Sequence, residues 1–63
     1  MNEQTPHGLS PLHKVDEAAE ILNVSTKSVR RWIDTKELEA YRIGRNIRIS
    51  DDSLREFLNK RKV

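Results

Sequence analysis

Tyr41-Arg42-Ile43-Gly44-Arg45-Asn46-Ile47-Arg48-Ile49 alternates apolar and polar side chains with a period of two, while the segments on either side repeat at helical spacing. Such a change of period marks a β-hairpin set between helices. Pairing Ile43 with Ile47 places Tyr41, Ile43, Ile47 and Ile49 on one face and sets Arg42 opposite Arg48 on the other. A two-residue loop, at 44–45 or at 45–46, puts an isoleucine across from a polar residue and scrambles the faces. The pattern therefore predicts a three-residue loop, with Gly44 or Asn46 supplying the positive φ that such loops need. Arg45 then sits at the tip. Two arginines directly across a strand pair repel each other, and an anion outside the fold relieves that repulsion.

Upstream of the hairpin, Val29, Trp32 and Ile33 recur at i, i+3 and i+4, the apolar stripe of a short helix. Ser25 is placed to cap it, and it ends near Thr35-Lys36. Before it, Val15, Ala18, Ala19 and Leu22 form the stripe of another helix. Asp16 and Glu17 lie in that helix's first turn, where carboxylates meet the positive end of the dipole. Asn23-Val24-Ser25 joins the two as a tight turn with Val24 pointing inward, which is a helix-turn-helix arrangement. Trp32 and Tyr41 read as core aromatics, with the tyrosine hydroxyl near the surface. Downstream, Ser50 is the expected N-cap of a third helix, with Ile49 and Leu54 as a hydrophobic staple and Leu54, Phe57 and Leu58 as its stripe. Asp51 and Asp52 at its start and Lys60, Arg61 and Lys62 at its end suit its dipole. Residues 1–11 contain Pro6, Gly8 and Pro11 and no apolar periodicity, so a flexible N-terminal tail is expected ahead of one domain over 12–63.

A chain of 63 residues has room for one modest core and a thin margin of stability. It has no cysteine, so neither disulfides nor thiolate metal sites enter. No apolar run approaches the roughly 18 residues of a membrane span, and Met1 to Pro6 lack the features of a signal peptide, which predicts a cytoplasmic protein. The net charge is only +2, but it is unevenly spread: −3 over residues 1–26, +4 over 27–48 and +1 over 49–63. Segregation of this kind suggests one face kept for a polyanion.

The second helix and the hairpin carry the candidate binding residues. On a wheel of about 100° per residue, Lys27 and Arg31 point nearly opposite the Val29–Trp32–Ile33 stripe, with Ser28 and Arg30 on the flanks. Lys27 and Arg31 are the best candidates to read bases, because such side chains pair with guanine O6 and N7. Ser25, Thr26 and Ser28 surround a helix N-terminus, where hydroxyls and free N–H groups can hold a phosphate. The plainer reading is a solvated face of an amphipathic helix. For the hairpin it is an edge charged against aggregation, although mixed signs serve that purpose equally. Arg42, Arg45 and Arg48, with Asn46 beside them and no carboxylate between, favour contact with phosphate or with a narrow minor groove. No nucleophile with a base, phosphate loop or catalytic carboxylate pair is visible, and His7 and His13 have no matched ligands nearby. A protein that is not an enzyme, with no metal and no cofactor, is the expectation.

The run Val15-Asp16-Glu17-Ala18-Ala19-Glu20-Ile21-Leu22-Asn23-Val24-Ser25, followed by Val29-Arg30-Arg31-Trp32-Ile33, Tyr41-Arg42-Ile43-Gly44-Arg45 and Ile47-Arg48-Ile49, resembles the excisionase-type, MerR-like winged helix-turn-helix over about residues 12–59. The resemblance implies a mainly α fold with a β-hairpin: a helix-turn-helix, a two-stranded wing and a C-terminal helix. It further implies sequence-specific binding of double-stranded DNA, with the second helix in the major groove and the wing against the adjacent minor groove or backbone. By position, Ser25, Lys27, Ser28, Arg30 and Arg31 match the recognition helix, and Arg42, Arg45 and Arg48 the wing. This chain departs from the family in three places. Lys14 stands where a capping Thr or Ser is usual, Lys36 where a glycine closes the recognition helix, and Glu39 where a proline precedes the wing. A left-handed Lys36 carries roughly 1–2 kcal/mol of strain.

Two roles share such a domain. One is an excisionase, or recombination directionality factor, that binds and bends DNA beside the sites of a tyrosine or serine integrase. The other is a small MerR-like or AlpA-like transcriptional regulator. A chain ending soon after its third helix, with no dimerisation helix in view, fits the excisionase as a monomer that associates cooperatively on DNA, in the cytoplasm at the nucleoid. A reading of a different class is a protein-interaction module whose basic face meets an acidic partner.

Overall fold

The computed structural model describes residues 11–63. In chain order they form β1 (Leu12–His13), α1 (Val15–Leu22), α2 (Thr26–Asp34), β2 (Tyr41–Ile43), β3 (Asn46–Ser50) and α3 (Asp51–Lys60). This is the winged helix-turn-helix expected from the sequence, with one addition. β1 pairs with β3, so the sheet has three antiparallel strands in the order β1-β3-β2. A two-residue strand is too short to show a period, so no local pattern announces it.

The helix boundaries follow local chemistry. Ser25 accepts the Ser28 N–H at 3.2 Å and Ser50 accepts the Ser53 N–H at 3.0 Å, so both expected caps are formed. Lys14 gives α1 no side-chain cap, but its own N–H is satisfied by Glu17 Oε1 at 2.9 Å, half of a capping box. α1 and α2 end alike. Asn23 takes φ 60° while its N–H reaches Glu20 O and the next N–H reaches Ala19 O. Lys36 takes φ 69° while its N–H reaches Ile33 O and the Glu37 N–H reaches Trp32 O. Both are Schellman turns, which place one residue in the left-handed region. Asparagine tolerates that region; lysine is strained in it.

The core gathers Ala18 and Ala19 from α1, Val29 from α2, Ile49 from β3, Leu54 and Phe57 from α3, and Leu38 from the connection into the wing. Trp32 packs at its rim against Phe57, with ring centroids 4.8 Å apart. Arg61 lies over the Phe57 ring at 3.9 Å and pairs with Glu37, closing the end of α3 onto the α2–β2 connection. Three side chains expected inside are not. Val24 is 37% exposed because the left-handed turn at Asn23 carries it to the rim. Leu58 is 52% exposed because α3 is rotated to bury Ser53, whose hydroxyl accepts from that of Ser50 at 2.9 Å. Tyr41 is 44% exposed on an edge strand whose three residues are all open to solvent.

The wing register also differs from the expected one. The pairs are Tyr41 with Arg48, Arg42 with Ile47, and Ile43 with Asn46, joined by the two-residue loop Gly44-Arg45. Arg42 therefore does not face Arg48; the two lie on opposite faces of the hairpin. Register is dictated by burial only where one face is buried. Here Ile43 is 51% exposed and only Ile49, at the far end of β3, is fully buried. The turn decides instead. Gly44, at φ +64°, supplies the positive φ at the first loop position that favoured two-residue hairpins require.

Residues 1–10, most of the expected flexible tail, lie outside the described residues. Pro11, expected to be its last residue, is tied down, since its carbonyl accepts the Asp51 N–H at 2.9 Å.

Candidate nucleic-acid interface

The exposed side of α2 carries Thr26, Lys27, Arg30 and Arg31. Val29, nearly opposite Lys27 and Arg31, is fully buried, which fixes the rotation of the helix. Ser25 and Ser28 behave differently: the Ser25 hydroxyl accepts from the Ser28 N–H and donates to the Ser28 Oγ at 3.2 Å, so both are engaged in the cap. Thr26 is the hydroxyl of the trio that turns toward the wing, where it lines a groove with Arg30. On the helical wheel these two share one flank, a turn apart.

A groove gathers the candidate site. Lys14 and Asp16 from the start of α1, Thr26 and Arg30 from α2, and Arg45, Asn46 and Arg48 from the wing line it, with Val15 and Ile47 beneath. Four cations converge there against one carboxylate. Among the described residues, none of the four is paired with a carboxylate, whereas Arg55 and Arg61 each pair with one. Arg48 is half-buried and spends one N–H on the Ile47 carbonyl at 2.9 Å, which holds its guanidinium beside the strand.

The structure brings together Thr26, Arg30, Arg45, Asn46 and Arg48 of the residues singled out in the sequence. Lys27 and Arg31 are exposed on α2 outside the groove. Arg42 lies apart from all of these, in a second groove between the wing and α3 with Glu39, Glu56 and Lys60. Lys14 was not among the residues singled out, because in the sequence it reads only as a lost cap. Its position comes from the short β1–β3 pairing: His13 faces Ile49, and Lys14, the next residue, lines the same groove as Arg48.

Residues 14–62, nearly all that the structure describes, match the family model of the helix-turn-helix domain. The chain belongs to this family. No curated protein and no solved structure shows a significant match to it. Helix-turn-helix domains take double-stranded DNA as their partner and are generally not enzymes, and the basic α2–wing surface is the chemistry that such a partner requires. Among the described residues of this helix-turn-helix domain, no helix is long and apolar enough to cross a membrane. No group of three or more His, Cys, Asp or Glu side chains among them is placed to hold a metal ion.

Away from the groove, Asp51 anchors the sheet to α3. Its carboxylate accepts from His13 Nε2 at 3.1 Å and pairs with Arg55 at 3.4 Å. The His13 hydrogen bond holds the Asp51 carboxyl below its ordinary range; partial desolvation opposes this and Arg55 reinforces it.

Proposed function

We propose that this helix-turn-helix domain reads duplex DNA with α2 in the major groove, Lys27 and Arg31 at base edges, while Arg45, Asn46 and Arg48 of the wing contact the adjacent backbone or minor groove. The observation that carries this reading is the groove: unpaired cations from the recognition helix and the wing face one shared space. Helices of this kind meet bases through their N-terminal half, and phosphate contacts from neighbouring elements set their register. Thr26 and Arg30 are assigned to the backbone, since they line the groove shared with the wing. Ser25 and Ser28 act through the cap that orients α2. Arg42 is at most a peripheral backbone contact.

Salt titration of duplex binding tests the reading. Affinity should fall steeply with salt, by about 0.9 in log–log slope for each phosphate contact. A flat salt response, or absence of binding to any duplex at low salt, rules it out and leaves an acidic protein as the partner of the basic face.

Within DNA binding, the resemblance to excisionases favours a recombination directionality factor over a transcriptional regulator. In this role the protein binds tandem sites as a monomer, associates cooperatively along them at the nucleoid, and bends the DNA beside an integrase. Engagement of a major groove and the neighbouring backbone by one rigid unit supports bending, because the additional phosphates that a bend brings against the protein offset its deformation energy. Adding the protein to a recombinase and its product sites should raise excision. Promoter occupancy with no effect on excision selects the regulator.

A further inference from the structure

The geometry points to Lys14 as the third wall of a phosphate clamp, in which one DNA backbone strand runs through the groove between the start of α1, the flank of α2 and the tip of the wing. This rests on the DNA-binding reading above and adds to it a contact from an element outside both the recognition helix and the wing.

Lys14 lines the same groove as Arg30, Arg45 and Arg48, so cations from three separate segments share one space. The Lys14 side chain caps nothing and is exposed, while its backbone N–H is held by Glu17. It is also held in place. β1 is hydrogen-bonded to β3, His13 is bound to Asp51, and the Ala18 N–H reaches the Lys14 carbonyl at 2.9 Å. A flexible ammonium on a fixed backbone suits a phosphate, which it meets as a point charge without demanding geometry. A capping Ser or Thr at this position would steady α1. Lysine gives up that stabilisation and adds charge to the groove.

Asp16 lines the groove too, and its Oδ1 accepts the Glu17 N–H at 3.0 Å. It is the one carboxylate facing the bound strand and works against it. The clamp therefore has two consequences of opposite sign within one short segment: removing the charge of Lys14 weakens backbone binding, and removing the charge of Asp16 strengthens it.

The test uses the full chain and a fluorescent duplex of arbitrary sequence, because non-specific binding is governed by phosphate contacts and needs no knowledge of the target site. Binding is measured by anisotropy against salt for the wild type, Lys14→Gln, Asp16→Asn and Lys60→Gln. Lys60 lies on the other groove and controls for simple loss of charge. Lys14→Gln should lower the log–log salt slope by about 0.9, equally on duplexes of different sequence. Asp16→Asn should tighten binding on every duplex, and Lys60→Gln should leave the slope unchanged. Thermal melts should show all three variants folded, since none of the three side chains is buried. A steep wild-type slope that persists in Lys14→Gln, or a slope that falls equally in Lys60→Gln, overturns the clamp while leaving DNA binding intact. A wild type with no salt-dependent binding overturns both, so the two failures are told apart.

Discussion

Arginines that looked equivalent in the sequence are not equivalent in space. Arg45 and Arg48 share the α1–α2–wing groove, whereas Arg42 faces the far side of the hairpin beside Glu39 and Glu56. Alanine at Arg45 or Arg48 should therefore weaken duplex binding on all sequences and lower the log–log salt slope by roughly one contact each. Alanine at Arg42 should change the slope little. Arg31, outside the groove on the exposed face of α2, belongs to a different class. Its replacement by alanine should relax discrimination at one base pair, at about 1–3 kcal/mol, as read by competition between variant sites. Lys36 is a matter of stability. At φ 69° it bears the left-handed strain that glycine avoids. Lys36→Gly should stabilise the protein by about 0.5–1 kcal/mol, the relief of strain less the extra entropy glycine loses on folding. Thermal denaturation would register this as a rise of several degrees.

The N-caps show how far one motif depends on its surroundings. Ser25 and Ser50 use the same device, a hydroxyl accepting the N–H three residues on and donating to that residue's own hydroxyl. The first pair opens α2 toward solvent, while Ser50 and Ser53 are both buried between β3 and α3. Ser25→Ala should cost about 1 kcal/mol, the ordinary worth of a cap. Ser50→Ala loses the same cap and also strands the buried Ser53 hydroxyl, so about 2 kcal/mol is expected in urea unfolding. The wing shows the opposite dependence. Its strands bury little between Tyr41 and Ile47, so a two-residue turn with Gly44 at positive φ overrides the face preference of its isoleucines.

The whole molecule is held by a small core and by ties between its ends. β1, the start of α3 and the end of β3 meet at Asp51, which donates its backbone N–H to the Pro11 carbonyl and accepts on its carboxylate from His13 and Arg55. A carboxyl whose folded value is depressed contributes stability above its unfolded value, about 3.9 for aspartate, and loses that contribution as pH falls through the folded value. Acid should therefore weaken the fold below about pH 4. Asp51→Asn should be less stable at neutral pH and should flatten that acid limb in urea titrations followed by circular dichroism. In a domain whose total stability is only a few kcal/mol, such ties matter as much as single core side chains.

Local chemistry made much of this protein legible in its sequence. Helical periods at Val15–Leu22 and Val29–Ile33, serines at positions 25 and 50, and the change of period at Tyr41 are short-range signals, and all three helices and the wing followed from them. The exposed basic face of α2 was equally legible, because Val29 and its stripe set the rotation of the helix. Tertiary structure alone decided the rest. The two-residue turn at Gly44 could set the hairpin register only because the wing stands clear of the core, and no local pattern reveals that. β1 is two residues long and exists only because β3 is there to pair with it. The groove joins Lys14, Arg30, Arg45 and Arg48, residues far apart in the chain. Its convergence is a product of strand pairing and helix packing, and the sequence by itself determined its charges but not their meeting place.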